Sequence, residues 1–395
     1  MAQPSAFAAP GFLALVAATI AFSAPSTAAS RVRAGAIHTP KGWASVAAAP
    51  PRAPAVKQAS AADGMSMEEC KRSVEEASPG QCTHLSTGNS GHVYAMNGID
   101  GSAVAVKVMR KQDPQRFFQA VAILQHFARA PFDEYLIQLR NFGSLQDRRG
   151  AQLFYYSMEL ARGDMTKLLS GAEFMEHAAA YSAQLLCGVK HLHAEGFVFL
   201  DIKRENVLVF DGVNSSMPRR LKLADYDSAC KPGASSTESV ACSQRAPSFT
   251  PHALAPELWP LQLQRRLHEI TMEQGCDNDM HGLGWVIFRS AIAGRKQHSL
   301  QFAHVQNAAI AHSKAAQLLH QLVRNGTNTS SEHERYNRTV AALALSLVQF
   351  NVAAEPVYRR MPAALQTVLR ALLGAGGGHR RGTAKQHLRT LGATC

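Results

Sequence analysis

Acidic side chains are scarce in this sequence. Asp and Glu total 29 against 41 Lys and Arg, a formal net charge of +12. A surplus of that sign favours anionic partners, namely nucleotides, phosphorylated or acidic proteins, or a lipid surface; a solvated basic surface with no partner accounts for it equally well. Long apolar runs are missing after residue 24. No transmembrane helix is therefore expected in the mature chain, which should be soluble. The seven cysteines contain no CxxC pair, which argues against a structural zinc site. No internal repeat is present, so a solenoid is not expected.

What the sequence does hold begins with an apolar leader. Gly11–Ala24 reads GFLALVAATIAFSA and is followed by Ser26, Thr27, Ala28 and Ala29. Residues 1–29 are read as a secretory signal peptide cleaved near Ala28 or Ala29. No Lys or Arg precedes the run, and a membrane anchor is the rival reading. Residues 30–63 are rich in Ala, Pro and Ser, with Arg31, Arg33, Lys41, Arg52 and Lys57 as the charged residues before Asp63. This segment reads as a disordered basic leader, with weak membrane contact as the alternative to a plain linker. Ser66 to Glu69 has the form of a capping box that would open a short helix. Secretion would permit disulfides, and Cys70–Cys82 and Cys230–Cys242 are the local pairs. An odd count leaves at least one thiol unpaired or bound to another chain.

Periodicity then divides the chain. His92–Met96 and Ser102–Met109 alternate like strands around a turn at Asn97–Gly101. Val104, Val106 and Val108 mark one face as core, which sends Lys107 to the other face beside Ala105. A helix is expected over Pro114–Phe127 and further strands up to Met158. Beyond Asp164 the spacing is mostly helical, as at Tyr181, Leu185, Val189 and Leu192. The expected fold class is α+β: a small β-rich lobe over 80–160 and a larger helical lobe over 161–395.

The residues that carry chemistry are ordered along this frame. Phe199–Val209 reads FLDIKRENVLV after a helix ending in His191-Leu192-His193. Upstream stand Leu85-Ser86-Thr87-Gly88-Asn89-Ser90-Gly91-His92-Val93, then Val104-Ala105-Val106-Lys107, then Met158-Glu159-Leu160-Ala161. Downstream stand Asp225-Tyr226-Asp227, Ala255-Pro256-Glu257, Asp279 to Gly284, and Arg381-Gly382-Thr383-Ala384. Together these resemble the motif set of the protein kinase superfamily, Ser/Thr type, over about residues 80–392. The resemblance implies a bilobal kinase fold using ATP with Mg²⁺ or Mn²⁺. It makes Asp201 the catalytic base and Lys203 the neutraliser of the transferring phosphoryl group. Asn206 and Asp225 become the metal ligands. The ATP site would comprise Leu85, Ser86, Gly88, Gly91, Val93, Ala105, Lys107, Met158, Glu159, Ala161 and Asp164. Glycines there let backbone N–H groups approach phosphate oxygens. Met158 would be the gatekeeper, backbone groups of Glu159 and Ala161 would meet adenine, and Asp164 the ribose. Glu257, Asp279 and Arg381 take structural roles, with Arg381 expected on Glu257.

Four departures from the pattern stand out. The helix after Lys107 has no acid between Pro114 and Ala130, and Ala120 occupies the place of the family's lysine-pairing glutamate. Gln119 beside it would lie about 100° around the helix. Phe199 and Leu200 replace a histidine and an arginine, which removes the usual reader of activation-loop phosphate. Asp227 replaces a glycine, losing conformational freedom but adding a carboxylate that would help gather metal. Ser86 replaces the first loop glycine. This eroded set on a secreted chain resembles the rhoptry-kinase family of coccidian parasites, which includes active kinases and pseudokinases. It implies a location in the rhoptry, the parasitophorous vacuole or the host cell. The expected function is phosphoryl transfer from ATP to Ser or Thr of a protein, with host proteins among the partners and no nucleic acid. A pseudokinase acting as a scaffold or allosteric partner is the alternative.

Overall fold

The computed structural model describes residues 82–395 except 89, 98–101, 110–113, 129–131, 147–151, 213–217, 235–237, 239, 243–252, 265, 295–298, 325–329 and 374–380. The leader readings over 1–63, the capping box at Ser66 and the Cys70–Cys82 pair involve residues outside this set.

The first lobe is an antiparallel sheet of five strands in the order β1-β2-β3-β5-β4. They are β1 Thr83–Thr87, β2 Gly91–Asn97, β3 Ala103–Met109, β4 Leu139–Gln146 and β5 Gln152–Glu159. The central strand β3 is buried on both faces, where the alternation alone marked one. Val104, Val106 and Val108 cluster with Tyr94 and Leu153, while Ala105 and Met109 join the main core. Lys107 leaves on the Ala105 side, as alternation requires. Helix α1, Pro114–His126, follows; its Pro at the first position is tolerated because that N–H has no helical partner. It buries Phe117, Gln119, Ala120, Val121, Ile123 and Leu124.

The second lobe opens with β6 Gly163–Asp164, α2 Met165–Leu168, α3 Gly171–Glu176 and α4 Ala178–Ala194. Strands β7 Val207–Phe210 and β8 Arg220–Leu223 pair with β6 into a small sheet under the cleft. After α5, Trp259–Leu263, comes α6, Met272–Ala291, started by a capping box between Thr271 and Gln274. Helix α6 is buried along most of its length, and two glycines explain how closely the catalytic loop lies on it. A Cβ at Gly275 would stand 2.5 Å from Val198 Cγ1, and one at Gly282 would stand 3.0 Å from the Ile202 carbonyl oxygen. Those contacts bracket Asp201.

The stretch 298–336, without a motif in the sequence, contributes to a pair of long helices, α7 Leu300–Arg324 and α8 Ser330–Gln349. They pack on each other, and α8 also meets the Pro256–Leu258 turn. His312 of α7 sits edge-on to the buried Trp259 ring at 5.2 Å and hydrogen-bonds the Tyr336 hydroxyl of α8 at 3.2 Å. Helices α9 Ala363–Leu373 and α10 Ala384–Leu391 close the lobe. No described helix is long and apolar enough to cross a membrane.

Disulfides join Cys230 to Cys242 and Cys187 to Cys395. The first is one of the local pairs expected; the second spans 208 residues, a pairing that spacing could not supply. A cross-link over so long a loop removes much of the unfolded chain's freedom. Cys395→Ser, or mild reduction, should lower unfolding stability by about 2–4 kcal/mol, read by urea denaturation with and without reductant. The substitution should leave the protein insensitive to further loss at that bridge.

Candidate active site

The catalytic loop hangs from one buried carboxylate. Asp279, on α6, accepts the backbone N–H of Phe199 at 2.7 Å and that of Leu200 at 2.8 Å. His193, at the end of α4, lies 2.9 Å from the same carboxylate. Leu200 has φ 66°, a left-handed conformation costly for a branched side chain. Both hydrogen bonds hold it there, and the side chain is buried rather than presented to the activation segment. Phe199 is fully buried edge-on to Tyr226 at 5.5 Å.

That bend delivers Asp201. Its Oδ2 meets Lys203 Nζ at 2.6 Å, and Asn206 Nδ2 donates to the Asp201 carbonyl at 3.0 Å and to Oδ2 at 3.2 Å. Asn206 also receives, on its carbonyl, the N–H of Ala224 at 2.9 Å, which ties the loop to the residue before Asp225. Asp201, Lys203, Asn206 and Asp225 therefore come together. Arg204 reaches back to the Met165 and Leu169 carbonyls and fixes the far side of the loop.

Lys107 comes down from β3 into this group. Its Nζ lies 2.6 Å from Asp225 Oδ1 and 2.6 Å from Asp227 Oδ2. Burial alone would depress the ammonium, but the Asp225 and Asp227 charges overcome it and raise Lys107 well above the ordinary lysine value. Burial works to raise Asp225 as well; the Lys107 charge and hydrogen bond outweigh it, and the net direction is down. Asp227 moves up, through burial and then the neighbouring Asp225 charge, against the pull of Lys107. Two carboxylates sharing one ammonium titrate as a unit.

The structure corrects the expectations for Asp227. Its φ is not positive, so the glycine's freedom is not needed there; the left-handed residue is Asp225, at φ 69°. The Asp227 carboxylate takes Lys107. Gln119 turns inward and donates from Nε2 to the Ala229 carbonyl at 2.5 Å, so α1 grips the segment after Asp227 by an amide.

The proposed nucleotide wall is unevenly matched to its roles. The Gly88 N–H donates to the Gly91 carbonyl at 2.8 Å, forming the turn between β1 and β2. A Cβ at Gly91 would fall 2.1 Å from the Val108 carbonyl oxygen, so contact with β3 already requires glycine there, apart from any phosphate. Ser86 lies at a bulge in the β1–β2 register, and Leu85 is exposed. Val93 is half-buried; Ala105 and Met158 are buried and face each other across β3 and β5. The Glu159 carboxylate accepts Lys222 Nζ at 2.7 Å and the Gln138 N–H at 2.9 Å, pinning β5 to the small sheet below. Ala161 follows two residues on, before β6. Asp164 caps α2, its Oδ1 accepting the N–H groups of Thr166 and Lys167, while Oδ2 lies 3.1 Å from Lys167 Nζ. Arg381 pairs with Glu257, one nitrogen lying 3.1 Å from Oε2.

A protein-family model described as "Protein kinase domain" matches residues 81–364. The chain belongs to the protein kinase family. Among curated relatives, human "Protein kinase C delta type" is 27% identical over 172 residues, 40% of this chain and 22% of the relative. "CBL-interacting protein kinase 26" of Oryza sativa subsp. japonica is 30% identical over 145 residues, 36% of this chain and 28% of the relative. "Mitogen-activated protein kinase kinase kinase YODA" of Arabidopsis thaliana is 29% identical over 156 residues, 37% of this chain and 16% of the relative. The matched region thus spans less than a third of each of these relatives.

Kinase domains in general use ATP and a divalent cation, and the donors here fit both. Asp225 offers a carboxylate, and Asn206, whose NH₂ is committed to Asp201, keeps an amide oxygen as its acceptor. Such hard oxygens, completed by phosphate and water, suit Mg²⁺ or Mn²⁺. The Lys107 ammonium supplies the cationic contact that phosphate oxygens need.

Asp279 offers a direct test of how the loop is held. Asp279→Ala strands two buried N–H groups and should cost about 2–5 kcal/mol of stability, read by urea denaturation. It should also lower nucleotide-dependent thermal stabilisation. Asp279→Asn keeps one acceptor and should lose less.

Proposed function

We propose that this kinase-family chain is an active, ATP-dependent Ser/Thr protein kinase delivered through the secretory route. The observation that carries the reading is the intact group Lys107, Asp201, Lys203, Asn206 and Asp225, held together although α1 supplies no glutamate. In a site of this kind most of the rate comes from positioning and charge stabilisation rather than covalent chemistry.

Asp201, fixed by Asn206 and paired with Lys203, would accept the proton of a substrate hydroxyl. Lys203, beside it, would meet the negative charge on the phosphoryl oxygens during transfer. Lys107 would bind the remaining phosphates of ATP. A divalent cation bound at Asp225 and Asn206 would supply further neutralisation of the phosphate charge. Lys203 is the residue that supports Ser or Thr, rather than Tyr, as acceptor.

The apolar leader and the Cys187–Cys395 and Cys230–Cys242 bridges support passage through an oxidising compartment. The Asp-Tyr-Asp-Ser-Ala string and the altered residues at Phe199 and Leu200 support a place near the rhoptry kinases of coccidian parasites. Host proteins would then be the substrates.

Two observations favour a catalytically impaired pseudokinase acting as a scaffold or allosteric partner instead. Lys107 sits on Asp225, the carboxylate that a cation would take, and buried Leu200 leaves no arginine for a regulatory phosphate. Thermal shift with ATP and Mg²⁺ or Mn²⁺, followed by γ-phosphate incorporation into a basic test protein, separates the readings. The kinase reading expects stabilisation by ATP with metal and labelling that Asp201→Asn abolishes. Labelling that survives Asp201→Asn, or none with either metal, overturns it. Stabilisation without labelling would identify a nucleotide-binding scaffold.

A further inference from the structure

We propose that Asp227 is the positioning residue for Lys107, performing within the metal-binding segment the task that an acid on α1 would otherwise perform. The inference deepens the kinase reading and rests on it for its catalytic meaning; its structural content does not.

Three observations carry it. The first is the contact itself. Lys107 Nζ is 2.6 Å from Asp227 Oδ2, with both side chains almost wholly buried, at 6% and 5% exposure. A buried ammonium needs a buried anion, and Asp225 alone is a poor permanent partner. Asp225 is 39% exposed, on the open side of the site, and its other expected duty is to a cation. When Asp225 turns to that cation, Asp227 remains on the lysine.

The second is what faces Lys107 from every side. Among the described residues, the carboxylates on it are Asp225 and Asp227, with the buried Tyr156 ring 5.9 Å away beneath it. The Ser90 side chain bears on Asp227 from the glycine-rich turn. The buried face of α1 presents Phe117, Ala120, Val121 and Leu124, all apolar. Its buried polar residue, Gln119, is uncharged and already donates to the Ala229 carbonyl.

The third is conformational. Asp227 lies in the short 3-10 turn Tyr226–Ser228 with no positive φ, so an ordinary side chain is accommodated without strain. The position spends nothing on glycine's freedom and uses its Cβ to carry a carboxylate.

The functional meaning follows. Where the lysine's anion rides on a separate helix, swinging that helix switches the site on and off. Here the lysine's anion and the cation's carboxylate come from Asp225–Asp227, and α1 is bonded to the same stretch through Ala229. Alignment of Lys107 therefore needs no acid from α1, and α1 acts on it through the Gln119–Ala229 hydrogen bond rather than through a direct ion pair.

The test uses the full chain with Asp227→Asn, Asp227→Gly and the double variant Asp227→Gly/Ala120→Glu. Asp227→Asn preserves shape and removes the charge. It should reduce kcat/KM for ATP by about a hundredfold, with the larger part in kcat, at unchanged metal concentration for half-maximal rate. Ala120→Glu should recover activity in the Asp227→Gly background by restoring an acid from α1. In parallel, acetylation of Lys107 by acetic anhydride, read by mass spectrometry, should rise severalfold in Asp227→Asn without nucleotide. That footprint needs no activity, so it tests the contact even if the kinase reading fails. An Asp227→Asn protein with parental Lys107 reactivity would overturn the proposal. So would parental activity in Asp227→Gly, or a loss cured entirely by raising Mg²⁺ or Mn²⁺, which would make Asp227 a cation ligand instead.

Discussion

An ammonium taken out of water has to be met by an anion, and much of this molecule is arranged around one such pairing. Lys107 is brought into the cleft by the alternation of β3, between Ala105 and Met109. Tyr156 covers it from β5, and the turn after Asp225 supplies its carboxylates. Leaving a buried charge of this kind without its partner costs about 3–5 kcal/mol in comparable settings. The two lobes are thus coupled by electrostatics at the place where the nucleotide phosphates would lie. A second coupling, Glu159 of β5 with Lys222 of β8, repeats the device nearer the hinge.

Beneath that pairing stands the scaffold of the helical lobe. Asp279 holds the left-handed bend at Leu200, and Gly275 and Gly282 let α6 approach closely enough for it to do so. The loss of histidine and arginine ahead of Asp201 therefore does not unmake the loop. The loop's shape depends on backbone N–H groups, which any residue carries, and on a carboxylate that is retained. Phe199 fills the former histidine place by packing on Tyr226. Leu200 offers no cation at that bend, and a disulfide, Cys230–Cys242, lies beyond the Asp225–Asp227 turn.

Much of this was legible in the sequence for physical reasons. Strand β3 follows from valine alternation, α1 from a proline-opened apolar helix, and the meeting of Asp201, Asn206 and Asp225 from the motifs that resemble those of protein kinases. The four departures were legible as departures. Their resolution was not, because it depends on contacts between residues far apart in the chain. Asp227 is 120 positions from Lys107, and nothing in a local pattern says that a carboxylate beside Asp225 turns to the lysine. Gln119 was placed correctly beside Ala120, but its partner is a backbone carbonyl, which carries no residue signature. Asp164 has a second task that the motif does not announce: the residues after it start a helix, and its carboxylate caps that helix. Gly91 carries a packing demand that the motif does not state, since the β3 carbonyl behind it is enough to require glycine. The long helices α7 and α8 had no motif to announce them, and their site is set by packing on the Trp259 region.

The bridge from Cys187 to Cys395 has a topological consequence. It closes 208 residues of sequence separation into a ring that contains the catalytic loop, the Asp225–Asp227 turn and α6. A protease that breaks one peptide bond anywhere within that ring leaves a single covalent molecule. The smaller Cys230–Cys242 ring is nested inside it and gives the same protection twice over to the stretch it encloses. In a digestive or lysosome-like surrounding, a nick would convert the lobe from a ring into a branched chain without releasing a fragment. Two cuts, suitably placed, become the minimum for disassembly.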